Sequence, residues 1–211
     1  MRWPELNEEI GIATLDGKAY YLFTQMLKKM VMPFASLAPG EKIPSNINVI
    51  LTTKREKQQI NLENILCIEE LDRDTGVVKE RILGGLYAAH GEPLVIGVDP
   101  GKRIGLVAYY QDKEIESCVL NSVDETFNRI SKLTQNAKGK KIVRIGNGSP
   151  TISKHLATIL TSRLGGTISV ELVDERGTST LSKTKHEGRG TRDEISARLI
   201  AHRQGRKYQK S

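Results

Sequence analysis

Five acidic residues stand where strands end or a helix begins: Asp99, Asp174, Glu175, Asp193 and Glu194. Hard divalent cations such as Mg²⁺ take oxygen ligands, and two or three carboxylates from separate elements are the usual protein share. Two such ions about 3.5–4 Å apart can stabilise both the attacking and the leaving oxygen of a phosphodiester displacement. That chemistry needs no Ser, Cys or His nucleophile. Each acid also has a structural use. Asp99 precedes Pro100-Gly101, and Asp commonly opens a turn. Glu175 is followed by Arg176, a ready surface partner. Thr191-Arg192-Asp193-Glu194 fits a capping box, which gives Glu194 a structural role and lets Asp193 favour the helix dipole. The histidines show no ligand spacing: His155 and His202 fall on predicted helices, and His186 sits in a basic loop where it could touch phosphate.

The elements that must carry these acids can be read from apolar runs and breakers. Leu94–Asp99, Ile104–Tyr110 and Glu114–Leu120 read as three strands, the second and third joined by a tight hairpin at Gln111-Asp112-Lys113. Asp124–Gln135 reads as an amphipathic helix, Lys141–Ile145 as a strand and Thr151–Leu164 as a helix stopped by Gly165-Gly166. Ile168–Asp174 is the fifth strand and Thr191–Arg203 the last helix. This βββαβαβα order implies a mixed five-stranded sheet with helices packed on its faces. Ends of its central strands and the start of a packed helix can converge on one point.

A boundary falls at His90-Gly91-Glu92-Pro93. Before it, strands at Ile10–Thr14, Phe34–Leu37, Asn48–Thr53 and Ile65–Glu69 alternate with helices at Lys18–Met30 and Thr75–Ala89. The chain therefore reads as α/β, with a small accessory α/β domain over 1–91 and a second domain over 92–211. The first domain shows no catalytic constellation.

Charge divides at the same place. The chain has 32 Lys+Arg against 25 Asp+Glu, net +7. Residues 1–92 hold 11 basic and 13 acidic side chains; residues 93–211 hold 21 and 12. The surplus lies wholly in the second domain and suggests a polyanionic partner there. From Lys183 onward there are nine basic residues against three acids. Gly188 and Gly190 in that stretch let a loop approach a backbone closely, while residues 205–211 read as a disordered basic tail. No apolar run reaches the roughly 18 residues of a membrane helix, and the N-terminus has no apolar signal core. Cys67 and Cys118 are far apart, which excludes a disulfide framework or a zinc finger and points to a reducing, cytoplasmic setting.

The second domain resembles a known family. Val95-Ile-Gly-Val-Asp-Pro-Gly101 followed by Ile104-Gly105-Leu-Val-Ala is similar to the first strand and hairpin of RuvC/YqgF-type nucleases of the RNase H-like superfamily. Ile145-Gly-Asn-Gly148 is similar to the YqgF-like domain found in the transcription accessory protein Tex, and Leu172-Val-Asp-Glu-Arg-Gly-Thr178 resembles the YqgF segment in which a Glu follows the buried strand. Gly188-Arg-Gly-Thr-Arg-Asp193-Glu-Ile-Ser-Ala197 is similar to that family's Gly-rich basic loop and final Asp-bearing helix. These matches occur in the family's order over residues 94–204. The resemblance implies an RNase H-like fold, with Asp99, Glu175 and Asp193 as the catalytic carboxylates holding Mg²⁺ or Mn²⁺. RuvC-type resolvases carry an acid after the fourth strand, where this chain has Asn147; YqgF-like proteins lack it too. Three residues after Asp193, where RuvC has a second acid, stands Ser196.

The expected function is a divalent-metal-dependent nuclease acting on structured nucleic acid, either a branched DNA junction or a ribosomal RNA precursor. Lys102, Arg103, Asn147, Arg176, Lys183, Lys185, Arg189 and Arg192 are the candidate nucleic-acid contacts, and their cations predict salt-sensitive binding. No membrane partner is expected, and a homodimer is left open beside a monomer. The alternative is a binding module with a worn metal site. A further reading, an actin-like or sugar-kinase-type phosphotransferase, rests on Asp-x-Gly after a first strand, but the first domain shows no matching Asp-x-Gly hairpin.

Overall fold

A computed structural model describes residues 9–87, 92–110, 113–135, 137–174 and 192–208. The chain divides into two compact units, 1–89 and 90–211.

In the first unit the strands are β1 (Ile10–Ala13), β2 (Ala35–Leu37), β3 (Val49–Thr52) and β4 (Ile65–Cys67), and the helices are α1 (Gly17–Lys29) and α2 (Thr75–Tyr87). All strand pairs are parallel, in the order β2-β1-β3-β4. Every residue of β1 and of β3 is buried, as expected of central strands in a parallel sheet. Phe23 and Leu27 of α1, Ile82 of α2 and Ile12, Ile50 and Leu51 of the sheet are fully buried. Asp16 caps α1 by accepting from the Lys18 and Ala19 N–H groups at 2.9 and 3.0 Å. The helix closes in a Schellman arrangement, Met32 N–H to Leu27 O and Val31 N–H to Lys28 O, with Val31 in the left-handed region at φ 56°.

In the second unit β5 (Leu94–Asp99), β6 (Ile104–Tyr110) and β7 (Lys113–Leu120) form an antiparallel run. Then follow α3 (Val123–Gln135), β8 (Lys141–Gly146), α4 (Pro150–Leu164), β9 (Ser169–Val173), α5 (Arg192–Ala201) and β10 (Arg206–Lys207). β8 lies parallel to β5, and β9 parallel to β8. The sheet order is β10-β9-β8-β5-β6-β7. A five-stranded sheet is thus corrected to six strands. Arg206 and Lys207, expected in a disordered tail, pair antiparallel with Leu172 and Glu171 of β9.

Glycine decides how closely α5 lies on the sheet. A Cβ on Gly97 of β5 would stand 2.2 Å from the Ala197 carbonyl oxygen, and one on Gly105 of β6 would stand 2.1 Å from that of Asp193. Val107, Tyr109, Ala197 and Ala201 form the small core between α5 and the sheet, with Val95 against it. The alternate residues of β5, Leu94, Ile96 and Val98, point to the opposite face and are fully buried. α3 begins at a capping box in which the Ser122 hydroxyl accepts from Glu125 N–H and the Glu125 carboxylate accepts from Asn121 N–H.

Candidate functional site

Two of the three expected carboxylates lie towards one edge of the second unit. Asp99 is the last residue of β5 and is paired with Gly105. Gly105 lies under the Asp193 backbone. Residues 95, 97 and 99 share the face of β5 that carries α5, because Gly97 contacts that helix and side chains alternate along a strand. Asp99 and the first turn of α5 therefore occupy the same face and the same end. Glu175 lies outside the described residues, as do Arg176, Lys183, Lys185 and Arg189. Among the described residues, no group of three or more His, Cys, Asp or Glu side chains could hold a metal ion.

The electrostatics around Asp193 are set by Arg103. Its Nη2 stands 3.0 Å from Asp193 Oδ2, with the Arg side chain 59% and the Asp side chain 27% exposed. The pair is ionic rather than directional: Oδ2 is itself buried and accepts no hydrogen bond. That oxygen already faces the Arg103 guanidinium, so a divalent ion at Asp193 would have to compete with it.

Below Asp193 the rest of α5 is tied to β6 and β7. Glu194 accepts from the Ser117 hydroxyl of β7 at 3.1 Å; the expected capping box with Thr191 falls on a residue outside the described ones. Arg198 Nε donates to Glu114 at 2.9 Å and its Nη2 reaches Ser117 at 3.2 Å. The Tyr109 hydroxyl donates to the same Glu114 at 3.0 Å; burial, then the Glu114 charge, raises its pKa. His202 packs its ring on Tyr109, centroids 4.9 Å apart, so it serves as a boundary residue. These contacts fix the helix that carries Asp193.

The described candidate nucleic-acid contacts lie around this edge. Lys102 and Arg103 are exposed in the β5–β6 turn, Arg192 is exposed at the start of α5, and Asn147 is exposed after β8. The turn bearing Asn147 is held firmly. Asn147 N–H donates to Val173 O at 3.0 Å, and the buried Ser153 hydroxyl donates to Gly146 O at 2.7 Å.

A second constellation, unread in the sequence, lies in the first unit at the carboxyl ends of β1 and β3, where open parallel sheets bind ligands. The Glu56 carboxylate accepts from the Thr14 and Thr53 hydroxyls and from Leu15 N–H. Burial raises its pKa, but the hydrogen bonds from Thr14, Thr53 and Leu15 outweigh burial, and the net shift is downward. It borders a cleft of about 470 Å³ whose rim includes Asp16, Lys18, Arg55 and Glu69. The signal available in the sequence was Thr53-Lys-Arg-Glu56, a Thr three residues before a Glu.

Comparisons with known proteins add a coarse picture. The family model REC-like_halo, described as a response regulator receiver-like domain, matches residues 9–78. No curated protein matches the chain significantly. Among solved structures, a crystal structure of Aa-Ago with externally bound siRNA is similar at 11% identity and a TM-score of 0.25. That similarity covers 78% of this chain and 35% of the other, so this chain spans about a third of that protein's length.

Proposed function

We propose that the second unit is an RNase H-like domain that binds structured nucleic acid and hydrolyses its phosphodiester bonds with Mg²⁺ or Mn²⁺. The observation that carries this reading is the placement of Asp99 and Asp193 on one face at one edge of the sheet. The order of elements supports it. Three antiparallel strands, then parallel β8 and β9 with intervening helices, then α5 returning across β5 and β6, follow the βββαβαβα pattern of the family resemblance. Asp99, Asp193 and, from the sequence motif, Glu175 would hold the ion. When bound, such an ion supplies electrophilic stabilisation of the charge that develops on phosphodiester oxygens. Lys102, Arg103 and Arg192 orient the polyanion by contacting its phosphates, and α5, fixed through Glu114 and Ser117, keeps Asp193 in register with Asp99.

A second reading is favoured by the Arg103–Asp193 pair. A guanidinium already neutralises the carboxylate, and Asn147 stands where resolvases have an acid. On that reading the domain binds nucleic acid without turnover.

The experiment is incubation of the full chain with labelled four-way DNA junctions and structured ribosomal RNA precursors, with and without Mg²⁺ or Mn²⁺. The nuclease reading expects metal-dependent cleavage that Asp99→Asn abolishes. Salt-sensitive binding with no cleavage moves the assignment to the binding module. Cleavage undiminished in Asp99→Asn overturns the site.

A further inference from the structure

We infer that the cleft between the β8–α4 turn and β10 is a second phosphate-backbone subsite, carried by Arg206 and Lys207. It would extend the nucleic-acid track away from Asp99 along the sheet edge. This rests on the reading of the second unit as nucleic-acid-binding and assigns it residues that the family resemblance does not supply.

The tail that bears these cations is built into the fold. A Cβ on Gly205 would stand 2.8 Å from Glu171 Cβ and 2.9 Å from Leu172 O, so glycine there allows the chain to lie down on β9. Beyond Lys207, Tyr208 N–H donates to Val170 O at 2.8 Å. The Tyr208 hydroxyl shares a hydrogen bond with Thr158 of α4 at 2.8 Å. Arg206 and Lys207 are thus anchored on both sides and exposed. The ordering entropy that a free basic tail loses on binding is already spent in folding.

Their charges are available. Glu171, the register partner of Lys207 on β9, receives Arg144 Nε at 3.0 Å. Among the described residues, neither Arg206 nor Lys207 forms an ion pair. Both line a cleft of about 610 Å³, together with Asn147, Asp174 and Gln204. Two exposed cations and the Asn147 and Gln204 amides outweigh the one carboxylate among the cleft's described residues, Asp174, and fit a phosphodiester backbone, which offers both negative charge and hydrogen-bond acceptors.

Its position fits a continuous track. β5, β8 and β9 are parallel, so their carboxyl ends form one edge, and Arg206 pairs with Leu172 one residue before the end of β9. Asp99, Asn147 and Arg206 therefore stand in sequence along that edge. From β5 to β10 is three strand spacings, about 14 Å at roughly 4.8 Å each.

The test is fluorescence anisotropy of the full chain with a labelled DNA junction and a labelled RNA hairpin, titrated across KCl concentration. Each lost phosphate contact lowers the slope of log K against log salt by about 0.9 on duplex or about 0.7 on single strands. Arg206→Ala/Lys207→Ala is expected to lower the slope by about 1.4–1.8, and Arg206→Lys/Lys207→Arg to retain it. The charge-matched control Lys140→Ala/Lys141→Ala, at the start of β8 on the opposite edge, is expected to leave it unchanged. Circular dichroism melting confirms that each variant is folded. If the wild-type chain binds with a salt-dependent slope and the β10 double variant keeps it, the subsite is overturned while the binding reading stands. If the wild type binds neither probe, both fall together.

Discussion

Arg103 Nη2 lies 3.0 Å from Asp193 Oδ2, so the turn after β5 and the first turn of α5 are joined by charge directly beside the end of β5. The contact exists because Gly105 lets the Asp193 backbone descend onto β6. Arg103 thereby holds two roles in tension: counter-ion to Asp193 and candidate contact to phosphate. The pair is largely exposed on the arginine side, and such pairs contribute about 0–1 kcal/mol. Arg103→Ala is therefore expected to tighten Mn²⁺ binding, by up to about five-fold, and to weaken nucleic-acid binding at low salt. Calorimetric titration of Mn²⁺ into wild type, Arg103→Ala and Asp193→Asn measures the first effect. Unchanged Mn²⁺ affinity in both variants would remove Asp193 from the metal site.

The glycines under α5 give the largest expected loss of stability. Gly97→Ala drives a methyl group against the Ala197 carbonyl and Ala201, and backbone cannot yield as a flexible side chain can. Overpacking of this kind costs typically 1–3 kcal/mol, and about 3 kcal/mol is expected here. Urea denaturation followed by circular dichroism reads it. A loss below about 1 kcal/mol would show that α5 docks less tightly.

Glu56 predicts an acid-sensitive first unit. Its carboxyl is held below its ordinary value in the folded state, so the unfolded chain takes up the proton first as pH falls. Its stabilisation is complete above the unfolded glutamate value, about 4.3, and fades as pH drops through that value towards the folded one. Glu56→Gln is expected to lower stability at pH 7 by about 1.5–3 kcal/mol, the range for hydrogen bonds to a charged group, and to flatten the acid dependence. Denaturation midpoints from pH 7 to pH 3 test this, and parallel curves for wild type and variant would refute it.

Val31 predicts the opposite sign. A β-branched residue at φ 56° carries left-handed strain of roughly 1–2 kcal/mol, and at 66% exposure its side chain buries little. Val31→Gly relieves the strain, offset in part by glycine's greater freedom in the unfolded chain. A net gain of about 0.5–1 kcal/mol is expected, visible as a raised melting temperature. A fall in that temperature would mean the valine side chain holds a contact that matters.

The thiols should be inert in the native state. Burial, followed by the neighbouring Glu116 charge, pushes Cys118 up to about 12, and burial raises Cys67 as well. Because the thiolate is the nucleophile, Ellman's reagent at pH 8 is expected to titrate neither cysteine until the chain is unfolded. Prompt reaction of either in the native protein would contradict the packing described here.

The sequence made the strands and helices readable where apolar runs were bounded by strong breakers. Leu94–Asp99 before Pro-Gly and Thr151–Leu164 before Gly-Gly are examples. It also pointed to Asp99 and Asp193, because both stand at element ends. Their joining to Arg103 could not be read, since it depends on how closely α5 approaches Gly105. β10 escaped notice for a related reason. Gly-Arg-Lys-Tyr has no apolar alternation of its own, and its pairing is dictated by the free side of β9. Glu56 escaped because its partners Thr14 and Leu15 lie about forty residues away. The Ser117–Glu194 hydrogen bond could not be read either, because its partners stand 77 residues apart on a strand and a helix.

The two-residue strand at the end of the chain also bears on solubility. Without it, β9 would present an open row of backbone donors and acceptors, the surface on which sheets from separate molecules fuse. β10 closes that row, and the strand it leaves outermost is short and occupied by an arginine and a lysine. A like-charged, abbreviated border of this kind repels its own copies. Versions of the chain ending before Gly205 would keep both carboxylates and still lose their colloidal protection.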